Sequence, residues 1–570
     1  MKKIMEKLSQ VYGLDERAIF LFRFFLSLVL LFDIFHRILT VDAFFSDVGI
    51  MPRWVQAKSY TEYWRFNIYY LSGNKYYLSA LLLLNAYIVW LFMTAKKNIK
   101  LITFVLWVFV NSLHMRNYLI LQSGDTVLRL VLFWFLFFPQ IKMNNDDCFS
   151  KKTNPNFFNM GVFGYYVQIA VIYFYAGYAK SYESYFSTGD AVYLAMELER
   201  YSTGFGQWLM RFPEFLRFGS RLTYGLEMLC PVLLFFPIKN WIFRLILIVG
   251  LFSFHIGTIL MMEVGHFPHA SMVLWLPLIP SQVLDLIFKS KKLEFKKFTI
   301  NKRICFFEKT LFSGLFICDG SYVINKIKEI NSEYLIDGVK CSQEVFWREI
   351  LCRSSFSLLF NNKLFLFGFM AVINFIDLVA EILILQKELI FRSIKYCASG
   401  LCLFFILFTF FYNLNNYEIY NYRLKRLVEN IQKNSFVRFG VNLEQRWGMF
   451  SPSPTGLDGW HIIYGERNNG DKVDLWGTDF TNPYKKPDSV ADTYKNFRWR
   501  KFFGTIMGEK HKHYRKYLWR TICLEVNNRT EDPMRRIKAV YHRFVSEKTT
   551  TTGVEPLKYL DYGSFKCPSK

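Results

Sequence analysis

The chain has ten cysteines, at positions 148, 230, 305, 318, 341, 352, 397, 402, 523 and 567, and no C-x-x-C pair among them. That absence excludes a zinc ribbon and a thioredoxin-like redox motif, which need closely spaced thiols. Several of these cysteines lie in or beside apolar runs, where a free thiol behaves as a small hydrophobe. Acidic residues are scarce: 46 Asp and Glu stand against 70 Lys and Arg, for a net charge of +24. In a soluble protein that excess would suggest nucleic acid. Here much of the lysine flanks apolar runs, so nucleic acid is not the expected partner and anionic lipid is. No internal repeat and no long low-complexity segment is visible, which argues against a solenoid or a disordered array. The first residues, MKKIMEKLSQVYGLDERAIF, lack a short apolar core followed by a small-residue cleavage site. They read as a retained first segment and not as a removed signal peptide.

What the chain has instead is long hydrophobic runs. Of its 570 residues 52% are hydrophobic and 19% aromatic, with 61 Phe. These gather into stretches near the ~20 residues that cross ~30 Å of hydrocarbon. Eight spans are expected over Ala18–Leu39, Tyr77–Met93, Leu101–Leu113, Val127–Ile141, Phe157–Lys180, Leu222–Phe236, Trp241–Met262 and Ala270–Phe288. Two more are expected over Leu364–Leu385 and Tyr396–Leu414. The fold class is therefore an all-α polytopic membrane helix bundle, with about eight core helices plus two more, carrying a small β-rich C-terminal domain.

Four regions follow: a transmembrane domain over 1–288, a polar insert over 289–355, two further membrane helices over 356–414, and a soluble tail over 415–570. In the tail, YHRFVSE and LWRTICLEV alternate apolar with polar residues, as strands do. Asn469-Gly470 reads as a hairpin turn between GWHIIYGE and KVDLWG. Lysines cluster before the first span and after the second, fourth and eighth, and Lys239 follows the sixth. By the positive-inside rule the N-terminus is cytoplasmic, Lys180 faces the outer side, and ten spans return the tail to the cytoplasm. A bacterial inner membrane is the expected setting.

Lys180 stands out, at the end of the fifth span in VIYFYAGYAKSYESYF. An ammonium deep in a bilayer costs ~2.5 kcal/mol or more on insertion scales. A desolvated lysine readily becomes a neutral amine able to act as a base. Tyr173, Ala176, Gly177 and Lys180 share one helical face, and the small residues allow close approach of another helix or a flat ligand. The plain alternative is a lysine that snorkels to the interface and anchors a helix end.

His255, well inside the seventh span, can donate from one ring nitrogen and accept at the other. Glu227 is another intramembrane carboxylate, a partner for Lys180 or for an arginine. Asp33 with Arg37, and Asp125 with Arg129, have the i, i+4 spacing of structural ion pairs. Arg116 or Arg129 is a candidate for binding a carboxylate or an anionic intermediate. His266 and His269 are three apart, but Pro268 separates them and no metal site is expected.

Taken in order, FFSDVGIMPR (44–53), RNYLILQSGDTVLR (116–129), YFYAGYAKSYESYFSTGDAV (173–192), LTYGLEMLCPVLLF, FHIGTILMMEVGHFPHASMVLW and WGMFSPSP resemble one family. It is the horizontally transferred transmembrane (HTTM) family, which includes the vitamin K-dependent γ-glutamyl carboxylases. The resemblance spans about residues 15–285 and the start of the tail. It implies a lyase using reduced vitamin K or another quinol, with O2 and CO2, to carboxylate glutamate in a peptide or protein. On that reading Lys180 is the catalytic base and His255 stabilises developing negative charge. Tyr173, Gly177, Arg116, Asn117 and Glu227 would surround the pocket. Ala179 replaces the first of the family's paired lysines, and Asn117 lies near where the family has a histidine. The alternative is a non-catalytic HTTM membrane module for peptide binding, export or immunity.

Overall fold

The computed structural model describes residues 2–59, 67–95, 97–139, 157–288, 391–416, 440–454, 456–550 and 553–568, and four short strands between 296 and 341. Five helices are long and apolar enough to cross a bilayer: Glu16–Leu39 (α1), Lys75–Thr94 (α2), Ile99–Arg116 (α3), Met160–Tyr178 (α5) and Asn240–Met261 (α7). They fit an integral multi-pass membrane protein. Short polar residues start several of them. Asp15, Asn74 and Asn159 accept from the first free backbone N–H groups of α1, α2 and α5.

The remaining apolar stretches form helices of other kinds. Ser123–Phe135 (α4) has 13 residues, about 20 Å at 1.5 Å each, and is buried along nearly its whole length. It is a core helix of the bundle. Pro213–Phe235 (α6) buries Leu216, Ser220, Thr223, Glu227, Cys230 and Leu234 along one stripe and exposes Phe215, Phe218, Leu229 and Val232. The expected eighth span is broken. Phe267–Trp275 (α8) runs on through a tight turn at Leu276–Leu278, and Ser281–Phe288 (α9) departs at 96°. Pro277 and Pro280 lie at that break, where each removes a backbone donor. Of the last expected pair, Tyr396–Leu414 falls within the helix Phe391–Asn416 (α10), which packs on α5. Leu364–Leu385 lies outside the described residues.

The polar insert contributes Lys296–Ile300 (β1), Tyr322–Lys326 (β2), Tyr334–Ile336 (β3) and Val339–Cys341 (β4). β1 pairs parallel with β2 and antiparallel with β3, and β3 pairs antiparallel with β4.

The tail is a four-stranded antiparallel sheet in the order β6-β5-β7-β8. Its strands are Gly456–Arg467 (β5), Lys472–Asp474 (β6), Ile537–Thr550 (β7) and Gly553–Lys566 (β8). The Asn469-Gly470 turn joins β5 to β6, with Gly470 at φ +90°. One reading needs correction. LWRTICLEV is not a strand; it lies in the helix Arg515–Arg529 (α12). Its buried residues Leu518, Trp519, Ile522 and Cys523 recur at helical spacing, which the local alternation concealed. A second tail helix, Phe497–Met507 (α11), packs against the bundle. Cys523 of α12 is disulfide-bonded to Cys567, just past β8.

The tail sits on the end of the bundle that carries Lys180. Ser181 N donates to Pro452 O at 2.7 Å, and Gln122 Nε2 to Phe497 O at 3.2 Å. The crossing count that put Lys180 and the tail on opposite faces therefore fails.

Candidate functional site

Lys180 follows the last turn of α5, its backbone N–H bonded to Gly177 O at 3.0 Å. Its Nζ donates to Glu227 Oε2 at 2.5 Å and to Ala176 O at 3.2 Å. It also lies 5.3 Å from the centre of the Tyr185 ring. The two charged side chains are 7% and 6% exposed, so the lysine does not snorkel into water. Glu227 reaches it because α5 and α6 are close at Gly177. A Cβ there would meet Met228 Sδ at 2.9 Å and Glu227 Cβ at 3.1 Å. The small residue is thus what brings the carboxylate to the amine.

The other wall comes from WGMFSPSP. Phe450 O accepts from Tyr185 Oη at 2.9 Å, and Pro452 O takes the Ser181 N–H. The sequence marks this segment as a rigid aromatic and proline loop. It gives no sign that the loop folds back some 270 positions onto the Lys180 turn.

Two turns deeper, Tyr173 links His255 and Trp275. Trp275 Nε1 can only donate, and it donates to Tyr173 Oη at 2.9 Å. The Tyr173 hydroxyl hydrogen is then free for His255 Nε2, 3.1 Å away. That assignment leaves the imidazole proton on Nδ1, which is buried and has no hydrogen-bond partner among the described residues. Lys180 and His255 share no hydrogen bond or ring contact; Tyr173 is the residue of α5 that meets His255.

Arg116 and Asn117 serve a different place. Arg116 donates to Met51 O at 2.8 Å, to Gln56 Oε1 at 3.1 Å and to Phe45 O. Asn117 Nδ2 donates to Phe44 O at 2.8 Å. Both hold the FFSDVGIMPR segment in position.

A second buried cluster lies where α1, α3, α4 and the turn before α8 meet the tail. Arg37 Nε binds Asp33 at 2.8 Å, the i, i+4 pair. Asp125 does not pair with Arg129, which donates instead to Glu444 O at 2.7 Å. Its partners are Arg37 at 2.7 Å and Arg498 of α11 at 2.7 Å. Arg498 also binds Asp33. His114 Nε2 and His266 Nε2 stand 3.4 Å and 3.6 Å from Asp125 Oδ1. Asp33, Asp125 and His266 offer ligand atoms within 4.8 Å of one another. Two guanidiniums already engage both carboxylates, however, and their charge opposes a cation there. The cluster reads as an ion-pair network that seats the tail.

No family model, curated protein or solved structure matches the chain.

Proposed function

We propose that the chain is a membrane-embedded enzyme of the HTTM type, a quinol- and O2-dependent carboxylase of glutamate in which Lys180 is the base. The observation that carries this reading is a lysine withdrawn from water at a helix end and held 2.5 Å from a buried carboxylate. The groups a quinol would need are an amine beside a proton acceptor and, two turns deeper, a His255 N–H with no hydrogen-bond partner among the described residues. A quinol bound there would supply the electrons that reduce dioxygen to the strong base needed for a glutamate γ-proton.

The chain's own residues then have three tasks. Lys180 Nζ takes a hydroxyl proton from the bound ligand, in the manner of a general base. Glu227 Oε2, 2.5 Å away, pairs with the ammonium that this transfer forms. His255 Nδ1–H, its tautomer set by Tyr173 and Trp275, offers a donor to developing negative charge. The disulfide of the tail supports an outer, oxidising side for this end of the molecule.

A second reading is supported by the same contact. Glu227 and the Ala176 carbonyl satisfy Lys180 without any ligand, as a non-catalytic peptide-binding, export or immunity module would need. Incorporation of labelled bicarbonate into glutamate peptides, with reduced quinone and oxygen, separates the two. The enzyme reading expects incorporation by the native chain and none by a folded Lys180→Ala variant. Equal incorporation by both removes Lys180 as the base, and none by either favours the module.

A further inference from the structure

A cleft of about 810 Å3 opens in the tail between α12, β6 and the turn before α11. Ala43 of the bundle closes one side, so the cleft lies where tail and bundle meet. Its volume is within the range of about 300–1,000 Å3 typical of sites for small organic ligands. The floor is aromatic, made by the indoles of Trp476 and Trp499, whose rings meet edge to face at 5.0 Å. Leu518 and Ile522 of α12 form an apolar wall.

The charges around this floor are unequal in what they lack. Glu525 is paired with Arg529 at 2.9 Å, and Asp532 with Arg535 at 3.5 Å. Asp474 accepts the backbone N–H groups of Trp476 and Gly477. Glu531 is exposed at the rim. Two cations are left. Lys495 has no carboxylate within ion-pair distance among the described residues; its Nζ rests 3.7 Å from the centre of the Trp476 ring. Arg467 likewise has no ion pair among them, and its Nε is buried without a hydrogen-bond partner. An anion is the group that complements a guanidinium and an ammonium left without ion pairs.

We propose that this cleft binds a carboxylate carried on an apolar or aromatic body. The carboxylate lies between Arg467 and Lys495, and the body lies on the indoles against α12. The site is separate from the Lys180 chemistry and stands whether or not that chemistry is correct. The same ligand chemistry has two sources, a free organic acid or an acidic side chain beside an apolar residue in a peptide.

The test is calorimetric titration of the full chain in detergent with 2-naphthoate and with its neutral amide. The acid should bind at least about tenfold more tightly than the amide, the scale of one charge-assisted hydrogen bond. Lys495→Gln and Arg467→Gln should each cut that preference to about threefold or less. Lys495 is an exposed residue, so its substitution leaves the fold in place. Equal binding of acid and amide, or an undiminished preference in both variants, overturns the proposal. A further arm uses N-acetyl-Phe-Glu-amide: tighter binding than 2-naphthoate assigns the peptide source, and weaker binding the free acid.

Discussion

Lys180 Nζ meets Glu227 Oε2 at 2.5 Å across the contact between two helices, the two residues being 47 positions apart. Because both side chains are buried, each depends on the other for its polar partner. Removing one partner of such a pair costs about 3–5 kcal/mol, whereas removing both costs much less. Glu227→Gln should therefore lower the melting temperature of the purified protein, and Lys180→Met with Glu227→Gln should recover most of the loss. If the enzyme reading holds, the double variant is folded and inert. Loss of a general base typically lowers turnover by about 10^2 to 10^4.

Gly177 controls the same contact from the backbone side. Gly177→Val would place atoms 2.9 Å from Met228 Sδ, so α6 must move away. Overpacking of this kind costs about 1–3 kcal/mol. The expected result is lower thermal stability, together with loss of any Lys180-dependent activity, while Gly177→Ala is milder in both. A valine variant with unchanged melting and activity would show that the close approach has no role.

Arg498 is the tail's charge inside the bundle. Arg498→Met leaves Arg37 to serve both Asp33 and Asp125, with a destabilisation of about 3–5 kcal/mol. The measurable sign is faster limited proteolysis of the tail. Adding Asp125→Asn should slow that proteolysis again. No rescue would mean that Arg498 acts by packing and not by charge.

The tail also contains a pair of buried histidines with an acid-sensitive signature. His461 Nδ1 and His542 Nε2 are 2.9 Å apart on β5 and β7, among Phe503, Tyr494 and Phe544. Burial pushes His542 from 6.5 down to about 3, and burial with its neighbour holds His461 well below its usual value. Unfolding exposes imidazoles that bind protons below about pH 6.5, so the unfolded state holds more protons there. Stability is thus full above that pH and falls as the pH drops from about 6.5 toward 3, by up to about 1.4 kcal/mol per unit for each ring. Thermal unfolding at pH 7 and pH 5 should show the drop. A His542→Phe variant should flatten the dependence, and the same slope in it would sink the assignment.

The Cys523–Cys567 bond closes a loop over 44 positions. On the chain-entropy model it contributes about 4 kcal/mol to the tail. If the tail lies on the outer side, a membrane-impermeant maleimide should label these cysteines in intact cells after impermeant reductant. Labelling only after lysis would place the tail inside.

The helical stretches were legible because apolar length is a local property: Ala18–Leu39 and Tyr77–Met93 match α1 and α2 within a few residues. The Asn469-Gly470 hairpin was legible for the same reason, since the turn chemistry lies in two adjacent residues. LWRTICLEV was misread because nine residues of alternating polarity do not distinguish a strand from a helix packed on one side. At the site, the pairing of Lys180 with Glu227 was one of several open partnerships, and packing at Gly177 selects it. Arg498 and the 450–452 loop were not legible, because nothing near them in the chain signals a partner hundreds of positions away.

The order in which the chain is made gives the Asp33–Asp125–Arg498 arrangement a temporal side. Both acids are synthesised early, and Arg498 follows Asp125 by 373 positions. At about 5–20 residues per second the wait is on the order of tens of seconds. Throughout it the half-built bundle holds two carboxylates with Arg37 as their single guanidinium among these residues, and it is open to water or a chaperone where α11 will later close it. Final seating of the membrane part is therefore deferred until the tail arrives.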